Sequence, residues 1–140
     1  KEFLPDGKEI LEHCKDKGYK LALAVIASEF EERKKQIGES GLAGFFEIIR
    51  IAPITKEQIW DHGINVKDRL YDEIMNEWDF KPEEVLIVDD RMFRGIKHGN
   101  KNGHPTVWVR NGKFAHEIPN KETGEPTYII NSVKELRDLI

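Results

Sequence analysis

The sequence predicts an α/β domain, a doubly wound and mostly parallel sheet with helices on both faces. Three observations predict it. The run Val85-Leu86-Ile87-Val88 holds four consecutive apolar residues, three of them β-branched, and reads as a central strand buried on both faces, as in a parallel sheet. Stretches with helical spacing alternate with short apolar runs along the chain, the pattern of βαβ units. Two carboxylates, Asp89 and Asp90, stand where the apolar run stops, and in open α/β sheets ligands bind just beyond the carboxyl ends of the strands.

In chain order, Pro5-Asp6-Gly7 opens a helix over residues 5–17, with Ile10, Leu11 and Cys14 spaced for one buried face and Gly18 as its stop. Residues 21–27 form an apolar strand that ends at Ser28. A charged helix over 29–39 is closed by Gly41, and a turn leads into a strand over 46–51. Residues 55–60 have the pattern of a short helix. Residues 66–78 form a longer one with Leu70, Ile74 and Trp78 on its apolar face. After the strand at 85–88, a helix over 94–101 ends at Asn102-Gly103, and 106–109 is another strand. Residues 114–126 are a polar loop, long for a compact domain and for that reason a candidate functional segment. A short strand at 128–130 follows, and Ser132-Val133-Lys134-Glu135 resembles a capping box that opens the last helix.

Length and composition bound the function. At 140 residues, with 39% apolar and 34% charged residues, the chain is one ordered domain. A net charge of −4 gives no footprint for nucleic acid. No apolar run approaches the roughly 20 residues of a membrane span. The single Cys14 excludes an intrachain disulfide, fits a reducing cytoplasm and reads as an inert side chain on a helix face. Composition leaves the oligomeric state open.

An adjacent pair of acids at a strand end suits a hard cation such as Mg²⁺ better than it suits a core. The plainer alternative makes one Asp a helix cap and leaves the other solvated. Strand alternation turns only one of the pair directly toward a site. His62, His98, His104 and His116 lack zinc-ligand spacing, and Trp60, Trp78 and Trp108 read as core or core-edge residues.

Four stations in order resemble the haloacid dehalogenase (HAD) superfamily. Residues 5–22 resemble the segment leading to the family's second motif, a strand ending in a phosphate-binding Ser or Thr, for which Ser28 is the candidate; its alternative is a helix N-cap. Lys67-Asp68-Arg69-Leu70-Tyr71 stands where the family has its lysine segment, without the usual prolines, and Lys56 is the rival. Val88-Asp89-Asp90-Arg91 resembles the fourth motif in its Asp-Asp form, with Gly95 where other members carry a later acid. Residues 94–108 and 112–128 resemble the helix, strand and ending beyond it.

The resemblance implies a Mg²⁺-dependent phosphate monoester hydrolase acting on a small phosphorylated substrate. In the family an aspartate attacks phosphorus and the aspartyl-phosphate is then hydrolysed. Asp89 and Asp90 would hold Mg²⁺, with Asp90 and Lys67 in the catalytic set, Lys67 balancing charge and Ser28 binding phosphate. The family's Asp-x-Asp nucleophile does not occur before the Ser28 strand, so the chain resembles the single core unit that follows a cap domain and is expected to be inactive alone. The alternative is a catalytically silent HAD-like binding or regulatory module. Strands that all run one way put their carboxyl ends on one edge, and the helix before Val85 runs antiparallel to its strand, so Ser28, Lys67 and Asp90 are expected to line one cleft bordered by the 114–126 loop. The strands before Ser28 and Asp89 are expected to pair directly, because an open slot would leave two rows of backbone groups without partners.

Overall fold

The structure, a computed structural model, describes residues 7–54 and 64–140. The expected helix start at Pro5 and Asp6, the short helix at 55–60, and Lys56, Trp60 and His62 lie outside the described residues. Elements follow the order α1 (Gly7–Asp16), β1 (Ala22–Ala27), α2 (Phe30–Glu39), β2 (Ile48–Pro53), α3 (Ile64–Glu77), β3 (Ile87–Asp89), α4 (Lys97–Asn102), β4 (Thr106–Val109) and β5 (Tyr128–Ile130). A single π turn, Met92–Ile96, runs into α4, which Gly103 closes in the left-handed conformation (φ 85°). The capping box at Ser132 is present, but the helix it opens, Val133–Asp138, is 3-10 rather than α.

Among the described residues every strand pairing is parallel, as in α/β folds. Helices cover both faces. In β4, Val107 and Val109 join a core with Ile10, Leu11 and Cys14 of α1, while Trp108, pointing the other way, packs on Met92 and Ile96 of the π turn. In β1, Leu21 just ahead of the strand packs toward the α1 core, and Ala22, Ala24 and Ile26 pack on α3. Cys14 is a buried, reduced thiol whose pKa burial raises. Among the described residues no helix is long and apolar enough to cross a membrane.

Two expectations are corrected. The strands before Ser28 and Asp89 do not pair: β1 and β2 form one sheet, and β3, β4 and β5 another. The run at 85–88 is also not a central strand buried on both faces. It shortens to Ile87–Asp89, lies at the edge of its sheet, and leaves Val88 37% exposed. One cause underlies both. An unpaired strand edge is costly only where water is excluded, and β1, although apolar throughout, buries only Val25 fully. Side chains join the sheets instead of a backbone ladder: Ala22 and Ala24 of β1 and Val85 ahead of β3 pack together against Ile74 of α3 and Trp78 just past its end.

Helix α3 also gives the direction of the strands. Its start, Val66 and Leu70, packs on Ala24, Ile26 and Ala52, toward the carboxyl ends of β1 and β2. Ile74 near its end and Trp78 just past it pack with Ala22, Ile48 and Val85, at the amino ends. Lys67, in its first turn, reaches Asp89 at the carboxyl end of β3. All three strands therefore run antiparallel to α3 and share one carboxyl edge.

Candidate active site

Asp89 is the hub of that edge. Its side chain is buried, and protein donors surround both oxygens. Oδ1 accepts the backbone N–H groups of Asp90 (2.8 Å) and Arg91 (3.3 Å). Oδ2 accepts the N–H of Gly95 (2.8 Å) and the hydroxyl of Tyr71 (3.3 Å), with the Lys67 ammonium 4.0 Å away. A carboxylate offers about four lone-pair sites, and these four donors, together with the Asp90 side chain, engage them. Burial would raise the Asp89 pKa, but Lys67 and the hydrogen bonds outweigh it and hold the group below its ordinary value.

The space for this carboxylate comes from Gly95. A Cβ on Gly95 would lie 2.4 Å from Asp89 Oδ2 and 2.7 Å from the Tyr71 hydroxyl. The Asp89 side chain thus occupies the volume a side chain at 95 would need. The π turn aims the Gly95 N–H at it, and such turns recur at functional sites. Lys67 is itself nearly enclosed, its ammonium 5.5 Å from the centre of the Tyr71 ring. Tyr71 also stacks with His98, whose Nδ1 is 2.9 Å from Asp68 Oδ1. Burial, then the Asp89 charge, push the Tyr71 hydroxyl well above its ordinary pKa, so it remains a donor.

Asp90 behaves differently. The residue is exposed, yet its carboxyl is crowded by protein and stands beside a fixed anion. Loss of hydration, then the Asp89 charge, push its pKa up to about 6. Because the folded value lies above the ordinary 3.8, the stability that protonated Asp90 contributes is present at low pH and is lost as pH rises from about 4 through about 6. Asp90→Asn is expected to be more stable than the parent at pH 7–8, with the gap closing below pH ~4. Carbon NMR of the Asp90 carboxyl should show a midpoint near 6. A midpoint near 4 with no stability gap would contradict this.

Ser28 follows β1 and so lies at the same edge, exposed to solvent. It does not cap α2, whose N-cap is Glu29. The structure thus brings Lys67, Asp89 and Asp90 together and puts Ser28 on their edge, with no hydrogen bond or ion pair joining Ser28 to them among the described residues. Among those residues no group of three or more His, Cys, Asp or Glu side chains stands close enough to hold a metal ion. Asp90, whose carboxyl meets Asp89 on one side, is the carboxylate of the pair with fewer protein donors, and a divalent ion there would offset the Asp89 charge that, after burial, raises its pKa.

The loop between β4 and β5 borders the site. Glu117 Oε1 accepts the Met92 N–H (2.9 Å) and Oε2 the Arg91 Nε–H (3.2 Å), while the Arg91 guanidinium lies 3.9 Å from the centre of the Phe114 ring. The Asn100 side-chain amide pins the loop's far end through the carbonyls of Thr123 and Glu125. The indole N–H of Trp108 donates to the Asp90 carbonyl at 3.0 Å. Sequence reasoning missed Tyr71, Trp108 and Glu117. Only Tyr71 left a signal, four residues after Lys67 and so on the same helix face.

Comparison with known proteins agrees with this architecture. The chain is 28% identical over 136 residues to a glyceraldehyde 3-phosphate phosphatase of Methanopyrus kandleri, covering 97% of this chain and 55% of that protein. It is 26% identical over 140 residues to one of Pyrococcus furiosus, covering 98% and 54%. The chain therefore spans about half the length of these relatives. The YfnB protein of Bacillus subtilis, solved bound to magnesium, superposes with a TM-score of 0.68 at 22% identity, over 96% of this chain and 54% of that one. The HAD-hydrolase-like family model matches residues 67–136, half of the chain, from Lys67 through the acidic pair to the final helix, and on that match the chain belongs to the HAD-hydrolase-like family.

Proposed function

We propose that the intact protein is a Mg²⁺-dependent phosphate monoester hydrolase, and that these 140 residues form the core unit that follows a cap domain in such proteins. The observation that carries the reading is the buried Lys67–Asp89 pair directly behind an open Asp90 carboxyl whose charge is disfavoured. Asp90 is the group that would hold Mg²⁺, with Asp89 fixing its backbone and the lysine. Bound there, Mg²⁺ would draw off negative charge on the phosphate oxygens. Lys67 balances the anions that would otherwise repel one another, and Ser28 donates its hydroxyl to a phosphate oxygen from across the edge. The names of the two phosphatase relatives and the magnesium in YfnB support this reading. The substrate class is a small phosphorylated compound, with glyceraldehyde 3-phosphate the first to test. The single buried thiol fits a cytoplasmic setting.

No Asp-x-Asp segment occurs in these residues. Purified residues 1–140 are accordingly expected to release no p-nitrophenol from p-nitrophenyl phosphate above the buffer rate, with or without Mg²⁺. Robust Mg²⁺-dependent turnover by residues 1–140 would overturn the assignment of the nucleophile to an Asp-x-Asp segment. The intact protein should hydrolyse one or both substrates only with Mg²⁺. A complete lack of turnover by the intact protein would leave the silent binding module as the reading.

A further inference from the structure

The Asp90 carboxyl hangs from a backbone fixed on every side. Its own N–H and that of Arg91 donate to Asp89, its carbonyl accepts from Trp108, and the next N–H, of Met92, donates to Glu117. Three of these bonds come from within the motif or from the neighbouring strand. The fourth comes from a loop that could close in many other ways. Glu117 is a buried acid, and a buried acid is costly unless both its oxygens are satisfied. Here they are: one caps the first N–H of the π turn, the other holds Arg91 against Phe114.

We propose that Glu117 is a positioning residue for Asp90, through which the loop between β4 and β5 holds the cation-binding carboxylate in place. The inference rests on the reading of Asp90 as the cation ligand. Removing the Glu117 carboxylate frees the Met92 N–H and leaves the Arg91 charge buried without its partner. Residues 91–95 then lose their outer anchor. The same residues supply two of the donors that fix Asp89, the N–H groups of Arg91 and Gly95. Asp90 would still be present but no longer preorganised, and supporting groups of this kind govern metal affinity nearly as strongly as the ligands do.

The test is a Mg²⁺ titration of the 140-residue chain, followed by amide NMR shifts well below the melting temperature of each variant. Glu117→Ala is expected to weaken Mg²⁺ binding about 10-fold. Glu117→Asp, which keeps the charge but draws it back by one methylene, should weaken it similarly and serves if the alanine variant does not fold. Glu117→Gln keeps an acceptor for the Met92 N–H and should stay within about threefold of the parent. In the first two variants the Trp108 indole N–H resonance should also move, because it reports on the Asp90 carbonyl. Parent-like binding by the Ala and Asp variants overturns the role of Glu117 and leaves the Asp90 reading standing. Equal weakening in all three, tracking their melting temperatures, overturns it in favour of a purely structural role. No saturable response in the parent, or a response unchanged in Asp90→Asn, overturns the cation reading and this inference with it.

Discussion

Lys67→Met is expected to destabilise the chain by about 3 kcal/mol at pH 7, on the order of 10 °C in melting temperature. Methionine keeps the length of the stem and removes only the ammonium, so packing changes little. What changes is the account of Asp89. Its carboxylate is buried, and Lys67 is the largest influence that holds its pKa down. Without the lysine, burial dominates and the pKa rises. Because the native value is depressed, the stability the pair contributes is present above the ordinary carboxylate value of 3.8 and is lost as pH falls below it. The gap between parent and variant should therefore be full at pH 7 and narrow steadily in acid, as Asp89 becomes protonated in both. Urea denaturation at pH 7 and pH 4 reads both quantities. A gap under about 1 kcal/mol at pH 7 would mean that the backbone donors alone hold Asp89, because exposed pairs are worth no more than that.

Gly95→Ala carries an effect of similar size for a different reason. The new Cβ would meet Asp89 Oδ2 at 2.4 Å, Asp89 Cβ at 2.6 Å and the Tyr71 hydroxyl at 2.7 Å. None can withdraw cheaply, since Asp89 is held from four sides and Tyr71 is stacked on His98. The carboxylate must leave its pocket and lose the Gly95 N–H. A loss of about 3 kcal/mol is expected, the upper end for overpacking a buried site. Gly38→Ala is the control: it lies in α2 with nothing within 4 Å of its new Cβ and should gain up to about 1 kcal/mol. If Gly95→Ala unfolds at the parent's urea midpoint, position 95 has room for a Cβ and the Asp89 side chain does not fill it.

Local pattern carried most of the secondary structure. Ile10, Leu11 and Cys14 do share a buried face, Leu70 and Ile74 do line α3 with Trp78 packed just past its end, and Ser132 does form its capping box with Glu135. Each of these depends on residues a few positions apart, which is what a single sequence displays. The pairing of β1 with β3 does not. Which strand edges meet is a long-range matter, and the expectation failed because it assumed dry edges where Val88 lies partly in water. The site divides the same way. The adjacent acids and the lysine in the first turn of α3 were legible in composition and order. The close approach of Gly95 to Asp89 was not, because the short glycine at 95 marks an opening without saying which side chain fills it. Glu117 was hidden for a further reason: a polar loop flags itself as a candidate by length, but nothing in its residues names Arg91 and Met92 as the partners.

Asp90 is the carboxylate of its pair with fewer protein donors, and a Mg²⁺ titration of the 140-residue chain at pH 7 tests its reading as the cation ligand. Amide shifts at Asp89 to Gly95 and at Lys67 should move together, saturably and with weak affinity, since no third carboxylate stands near among the described residues. Asp90→Asn should flatten that response, and Mg²⁺ should lower the midpoint of the Asp90 carboxyl below about 6. Shifts scattered evenly over the surface, or a localised response that survives Asp90→Asn, would contradict the account.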